Sequence, residues 1–222
     1  MRNLFARKFI YKNLPNIISV LGVLPLSILF LENGFQYLVP LIIYNNIMDD
    51  LDGILALKLN LKSQFGGALD NVCDAVAHII FVMTLGIHYG INCSVAGLVA
   101  VAAILIRVAS RITFSAKIGA GSPTNELMRH MLLILLTAQY FEFSPEPLLI
   151  AVLLLNTVSM LLPYPMRYMI RTLTISAPAI GLVNIALIVA WLVPFTAPVI
   201  AFCFFVSYLY SFIAGGVLRF ST

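Results

Sequence analysis

Five aspartates fall within 26 positions of a stretch that is otherwise largely apolar. Asp49 and Asp52 are three residues apart, and Asp70 and Asp74 are four apart, so two helices would each present one pair on a single face. A link of a few residues makes these helices antiparallel neighbours. Carboxylate oxygens are the ligands that hard divalent cations prefer. The spacing therefore predicts a site of four carboxylates that holds Mg²⁺ or Mn²⁺, with room for two ions.

The surrounding composition favours a bound cation. The chain is 61% hydrophobic and 10% charged, with a mean hydropathy of +1.02. An uncompensated carboxylate in a bilayer interior costs several kcal/mol, and the nearby Lys58 and Lys62 fall in the link between the two helices. Asp50 points about 100° away from Asp49 on a helix. We therefore expect Asp50 to support or cap the site rather than to bind the ion.

The elements that must position these residues are membrane helices. A span needs about 20 apolar residues, and 222 residues leave no room for a separate soluble domain. The sequence thus predicts one all-α domain over 1–222, a polytopic membrane helix bundle of about eight transmembrane helices. The predicted runs are Leu14 to Leu31, Phe35 to Leu57, Gly67 to Ile87, Ser94 to Ser115, Thr124 to Phe141, Pro147 to Pro163, Ala177 to Val193 and Ala197 to Val217.

Basic residues set the predicted orientation. The net charge of +4 resides mostly at the ends of apolar runs, which argues against nucleic acid as a partner. Eight spans with a cytoplasmic N-terminus leave no Lys or Arg in the opposite loops, as the positive-inside rule requires. Both termini and the aspartates then face the cytoplasm, and residues 1–12 form an interfacial helix. The cytoplasmic set is Arg2, Arg7, Lys8, Lys12, Lys58, Lys62, Lys117, Arg167, Arg171 and Arg219.

The aspartate stretch also resembles a family signature. Residues 49–56 read DIMDGILA and residues 66–74 read GGALDNVCD, which is similar to the pattern D-x2-D-G-x2-A-R-x8-G-x3-D-x3-D of the CDP-alcohol phosphotransferases. Leu57 stands where that family has arginine. The approach to the first span, Leu14-Pro-Asn-Ile-Ile-Ser19, is similar too. The signature places the second and third spans within residues 36–92.

This resemblance implies transfer of a phosphatidyl group from CDP-diacylglycerol to a small alcohol. It implies that Asp49, Asp52 and Asp70 bind the metals, and that Asp74 is both a ligand and the general base. It further implies a homodimer. The CDP moiety would lie against Asp52 and the small residues Gly53, Ala56 and Gly66.

The identity of the acceptor alcohol is inferred from weaker sequence signals. Eight spans, and Asn156 to Ser159 leading into Pro163 to Arg167, resemble the phosphatidylserine synthase branch, which favours L-serine. Arg107 and Arg111 lie four apart on one span, where buried arginines usually meet an anion such as a lipid phosphate or a serine carboxylate. Glycerol 3-phosphate, inositol or inositol phosphate, and choline are the alternatives within the family.

Three other polar features have mainly structural interpretations. His78 continues the face of Asp70 and Asp74, and a satisfied core histidine is favoured over an acceptor contact. Glu126 and Arg129 have the spacing of an ion pair. Asn184 is expected to form a hydrogen bond between helices.

A cation transporter and a catalytically inactive family member are the competing functions. Intramembrane aspartates also mark ion pathways, and Leu57 raises the possibility of lost activity. Short loops favour a prokaryotic inner membrane.

Overall fold

A computed structural model describes residues 10–113, 123–162, 166, 169–170 and 176–220. Regular structure within these residues is entirely helical, with no β-strand. The predicted all-α helix bundle is therefore confirmed. We number the α-helices in chain order: α1 (Leu14–Val23), α2 (Leu38–Lys58), α3 (Gln64–Tyr89), α4 (Ile91–Thr113), α5 (Pro123–Phe141), α6 (Glu146–Leu161), α7 (Ala177–Leu192) and α8 (Ala197–Phe220).

Each predicted apolar run corresponds to one of these helices, and every helix begins within three residues of its predicted start. Helix α1 passes directly into a 3-10 helix, Leu24–Phe30, at whose start Pro25 cannot donate a backbone hydrogen bond. A second 3-10 helix, Gly34–Tyr37, delays the start of α2. Helix α6 ends before Pro163, because the preceding residue, Leu162, is extended with ψ of 135°.

Within the described part of the chain, three helical segments are long and apolar enough to cross a membrane: Gln64–Tyr89, Ile91–Ile112 and Pro194–Val217. The apolar segments Leu14–Phe30, Glu146–Leu161 and Ala177–Leu192 are shorter. Helices α2 and α5 carry charged side chains that lower their hydropathy. These features are those of a membrane helix bundle, while the number of crossings stays a prediction.

Part of the predicted topology lies outside the described residues. The structure does not describe residues 1–9 of the predicted interfacial helix, nor Lys117, Arg167 and Arg171 of the basic set. The Pro163 to Arg167 stretch is described only at Met166. The cytoplasmic placement of both termini therefore stays a prediction.

Helix packing brings the aspartate-bearing helices together. Helix α1 packs against both α2 and α3, and α3 packs closely against α4. The α3–α4 approach requires a glycine, because a Cβ on Gly86 would lie 2.9 Å from the Cα of Ser94. Helix α5 contacts α2 and α3 as well as α6 and α8. The buried core includes Phe81, Leu85, Ile104, Leu132 and Leu153 from α3, α4, α5 and α6.

Candidate active site

Three carboxylates from two helices converge at one point. Asp49 of α2 and Asp70 and Asp74 of α3 each offer an oxygen atom, and these three atoms all lie within 4.8 Å of one another. The two α3 residues are one helical turn apart, so they share the face that meets α2. The predicted convergence of aspartates from adjacent helices is confirmed for these three residues. We call them the carboxylate cluster.

Asp52 does not belong to the carboxylate cluster in this structure. It is buried, and Ser19 of α1 donates a hydrogen bond from its hydroxyl group to Asp52 Oδ2. Asp52 nonetheless acts electrostatically on Asp70 and Asp74. The structure therefore brings together three of the four predicted metal ligands and holds the fourth beside them through α1.

Asn125, at the start of α5, contacts the carboxylate cluster directly. Its Nδ2 donates a hydrogen bond to Asp49 Oδ2 at 2.9 Å. Sequence reasoning assigned no role to either Asn125 or Ser19, although Ser19 lay within the Leu14 to Ser19 stretch that it singled out. The polar run Thr124-Asn-Glu126 at the head of an apolar helix was the signal available for Asn125.

Asp50 faces away from the carboxylate cluster, as its helical position predicted. Its Oδ2 accepts a hydrogen bond from Asn184 Nδ2 of α7 at 2.7 Å and lies 3.4 Å from Asn46 Nδ2. Asn184 thus forms the predicted interhelical hydrogen bond. Asp50 joins α2 to α7 and does not cap α2, which continues to Lys58.

A buried guanidinium links α5 to α2. Arg129 donates from Nη1 to Glu126 Oε1 at 2.8 Å, which confirms the predicted ion pair. It also donates to Asn46 Oδ1 from Nε at 3.1 Å and from Nη2 at 2.9 Å. Asn46 in turn donates to Asn184 Oδ1 at 2.7 Å. These contacts form a polar network across α2, α5 and α7, which we call the interhelical network.

The residues expected to approach the CDP moiety have different surroundings. A Cβ added to Gly53 would meet nothing within 4 Å, so this face of α2 is open. A Cβ on Gly66 would lie 3.0 Å from both Asn16 Oδ1 and Ser63 Oγ. Ala56 is half-buried and Leu57 is exposed. The structure thus leaves space beside Gly53 and places polar atoms beside Gly66.

A small cavity adjoins the carboxylate cluster at Asp74. Arg107 is buried, and Arg111 donates from Nη1 to Asn71 Oδ1 at 3.1 Å. Arg111 also acts electrostatically on Asp70 and Asp74. Both arginines thus face the region of the aspartates, as the substrate interpretation requires. We call this cavity the acceptor cavity, after the alcohol acceptor that the family resemblance implies. The residues that line it include Asn71, Asp74, His78, Arg107, Arg111 and Thr124.

His78 departs from its predicted role. Its side chain is buried and lines the acceptor cavity, but Nδ1 has no hydrogen-bond partner in the described part of the chain. The expectation of a satisfied core histidine is wrong for this atom. A buried polar nitrogen without a partner is costly, and it favours a polar group or water in the cavity.

The donor chemistry of the carboxylate cluster fits a hard divalent cation. All three ligands are carboxylate oxygens, which match the preference of Mg²⁺ and Mn²⁺. Like charges at this separation repel one another strongly in a partly buried setting. A divalent ion among them would convert that repulsion into attraction.

Comparisons with known proteins identify the family. An uncharacterized protein of Aquifex aeolicus (strain VF5) is 34% identical over 83 residues, which is 36% of this chain and 42% of that protein. The matched part of the chain thus spans less than half the length of this relative. No solved structure matches the chain. The sequence matches the CDP-alcohol phosphatidyltransferase family over residues 12–218, so the match covers nearly all of the chain, and the chain belongs to that family.

Proposed function

We propose that this protein transfers a phosphatidyl group from CDP-diacylglycerol to L-serine, which yields phosphatidylserine and CMP. The observation that carries the proposal is the position of Asp74. This residue belongs both to the carboxylate cluster and to the lining of the acceptor cavity. One side chain thus joins the predicted metal site to the place where an alcohol would enter.

Asp49, Asp70 and Asp74 would hold Mg²⁺ or Mn²⁺, and Asp52, which acts electrostatically on Asp70 and Asp74, would complete the set of four that the family signature implies. A bound divalent ion supplies positive charge that offsets the diphosphate and stabilises the CMP leaving group. Ser19 would have to release Asp52, or share it, for Asp52 to act as a ligand. We propose two ions, because four carboxylates carry enough charge for both.

Asp74 serves as the general base in this proposal. The acceptor hydroxyl group attacks the phosphorus that carries the diacylglycerol group, and a new P–O bond forms as the bond to CMP breaks. The hydroxyl proton passes to Asp74. Asp74 lines the acceptor cavity, so an alcohol bound there would meet this carboxylate as a proton acceptor.

The donor would lie along the open face of α2 beside Gly53 and Ala56 and reach Gly66 of α3. The missing side chain at Gly53 lets a nucleotide approach the helix closely. Asp52 is the remaining proposed contact to the CDP moiety. Leu57 replaces the arginine of the family signature and would contribute no charge to donor binding.

The two arginines of the acceptor cavity support an acceptor that carries an anionic group. Arg107 and Arg111 suit the carboxylate of L-serine. Glycerol 3-phosphate and inositol phosphate also carry anions, but a phosphate would call for a denser basic cluster. Choline has no anionic group, and inositol has none either, so both fit this cavity less well.

The remaining proposals concern the setting. We propose that residues 1–222 act as one membrane domain in a prokaryotic inner membrane, with the termini and the active site facing the cytoplasm. We further propose a homodimer, as the family resemblance implies. Membrane lipids then surround the protein, and CDP-diacylglycerol is the donor substrate.

Measurement of CMP release identifies the acceptor alcohol. Purified protein is incubated with CDP-diacylglycerol, Mn²⁺ and, in separate reactions, L-serine, glycerol 3-phosphate, inositol, inositol phosphate and choline. We expect CMP release with L-serine. Consumption of another acceptor without any use of L-serine would contradict the serine assignment but leave the reaction class intact.

Two variants test the residue assignments. Asp74→Asn should abolish CMP release while the helical circular dichroism signal and the melting temperature (Tm) stay close to wild type. Glu142→Gln is the control, because Glu142 is an exposed acid far along the chain from the aspartates. Full activity in Asp74→Asn would refute the assigned base. Absence of CMP release in the wild type, together with Mn²⁺ flux into proteoliposomes, would favour the transporter.

A further inference from the structure

Asn125 makes a contact that the proposed reaction does not use. Its Nδ2 lies 2.9 Å from Asp49 Oδ2, and Asp49 is the only member of the carboxylate cluster that comes from α2. Asp70 and Asp74 share one helix, so their spacing is set by the helix itself. The position of the Asp49 carboxylate depends instead on contacts between helices.

Helix α5 is well anchored to provide such a contact. One turn beyond Asn125, the Arg129 guanidinium donates two hydrogen bonds to Asn46, which lies nearly one turn before Asp49 on α2. Two polar contacts therefore join the same faces of α2 and α5. Arg129 is wholly buried, so this anchor is shielded from water. The amide of Asn125 is thus held at a fixed place relative to α2.

The chemistry of an amide suits this role. The NH₂ group of asparagine only donates, so it attracts a carboxylate but offers no lone pair to a cation. A carboxylate has about four acceptor positions, and one amide contact leaves capacity for a metal. Without the Asn125 amide, the Asp49 side chain would be less restrained against the like charges of Asp70 and Asp74, and ion binding would have to recover the rotamer entropy that this contact removes.

We propose that Asn125 is a positioning residue for the divalent-cation site, which holds the Asp49 carboxylate toward Asp70 and Asp74 before the ion binds. This inference rests on the proposed cation site. It is independent of which alcohol the protein uses.

Mn²⁺ binding to the full-length protein in detergent, without substrates, tests this role. The electron paramagnetic resonance signal of free Mn²⁺ gives the dissociation constant. Asn125→Ala and Asn125→Leu both remove the donor, one with loss of volume and one with volume retained. We expect each to weaken Mn²⁺ binding by about 10- to 100-fold, the usual effect of removing a group that orients a metal ligand.

Asn184→Ala is a closely matched control. It also removes an asparagine amide from an α2 aspartate, since Asn184 donates to Asp50 at 2.7 Å, but Asp50 lies outside the carboxylate cluster. Asn184→Ala should lower the Tm and leave Mn²⁺ affinity near the wild-type value. A merely structural role for Asn125 would give the same pattern, with a lower Tm and unchanged affinity.

The possible outcomes separate the two claims. Wild-type protein that binds no Mn²⁺ would overturn the cation site, and the role of Asn125 with it. Wild-type protein that binds Mn²⁺ with the same affinity as a folded Asn125 variant would overturn the role of Asn125 alone. The two variants differ in size, so if one does not fold the other decides.

Discussion

The buried pair of Glu126 and Arg129 allows a quantitative test of the interhelical network. Both side chains are at most 1% exposed and lie 2.8 Å apart. Glu126→Leu leaves a guanidinium without its counter-ion in the bundle, which should cost about 3–5 kcal/mol of unfolding free energy. Arg129→Met leaves the Glu126 carboxylate without its partner, at a similar cost of about 3–5 kcal/mol.

The two single variants are not equivalent. Arg129 also occupies Asn46 Oδ1 with two hydrogen bonds, so Arg129→Met leaves that buried acceptor short of donors and should lose about 1–3 kcal/mol more. In the double variant both charges are gone and only the Asn46 penalty of about 1–3 kcal/mol remains. We therefore expect the double variant to be more stable than either single variant.

Unfolding in mixed micelles with increasing dodecyl sulfate, followed by helical circular dichroism, measures these free energies. The four proteins form a double-mutant cycle, whose coupling energy should be about 6–10 kcal/mol, because each single variant leaves one buried charge unpaired and the double variant leaves none. Glu142→Gln, an exposed acid, is the control and should change the unfolding free energy little. A double variant that loses the sum of both single effects would refute the argument, because it would mean that the charges do not compensate each other.

Four further substitutions test the substrate surfaces. His78→Leu removes the buried Nδ1 at a similar side-chain volume and should raise the KM for the acceptor about tenfold, the worth of one hydrogen bond, at unchanged donor KM. An unchanged acceptor KM would exclude the contact. Leu57→Arg restores the family residue at a position that is 58% exposed, so the KM for CDP-diacylglycerol should fall without loss of Tm, and an equal or higher KM would contradict donor binding there. Gly53→Leu should raise the donor KM at unchanged Tm. Gly66→Ala should lower the Tm, because a Cβ at position 66 meets two oxygens at 3.0 Å. The reverse pattern would place the donor elsewhere.

Local sequence determined the helices of this protein. Long apolar runs separated by turn residues leave a chain in lipid only the helix as a way to pair its backbone groups. The described helices accordingly begin within three residues of the predicted starts. The predicted extent of a helix was wrong where a proline removes a backbone donor. At Pro25, for example, the first helix changes to a 3-10 helix.

Sequence spacing also determined most of the carboxylate cluster. Asp70 and Asp74 share a helix face by periodicity alone, and a short link returns α3 beside α2, so the approach of Asp49 follows from connectivity. The same periodicity turned Asp50 away from the cluster. These are short-range consequences of helix geometry, which a sequence contains in full.

The partners of the aspartates were decided by tertiary structure. Asn125 and Asp49 are 76 positions apart, Arg129 and Asn46 are 83 apart, and Asn184 and Asp50 are 134 apart. No spacing rule relates residues on helices that are not neighbours in the chain. Which amide meets which carboxylate depends on how the helices rotate and pack. The sequence therefore supplied the predicted ligands, and the packing of α1, α5 and α7 against α2 decided which side chains hold Asp49, Asp50 and Asp52 in place.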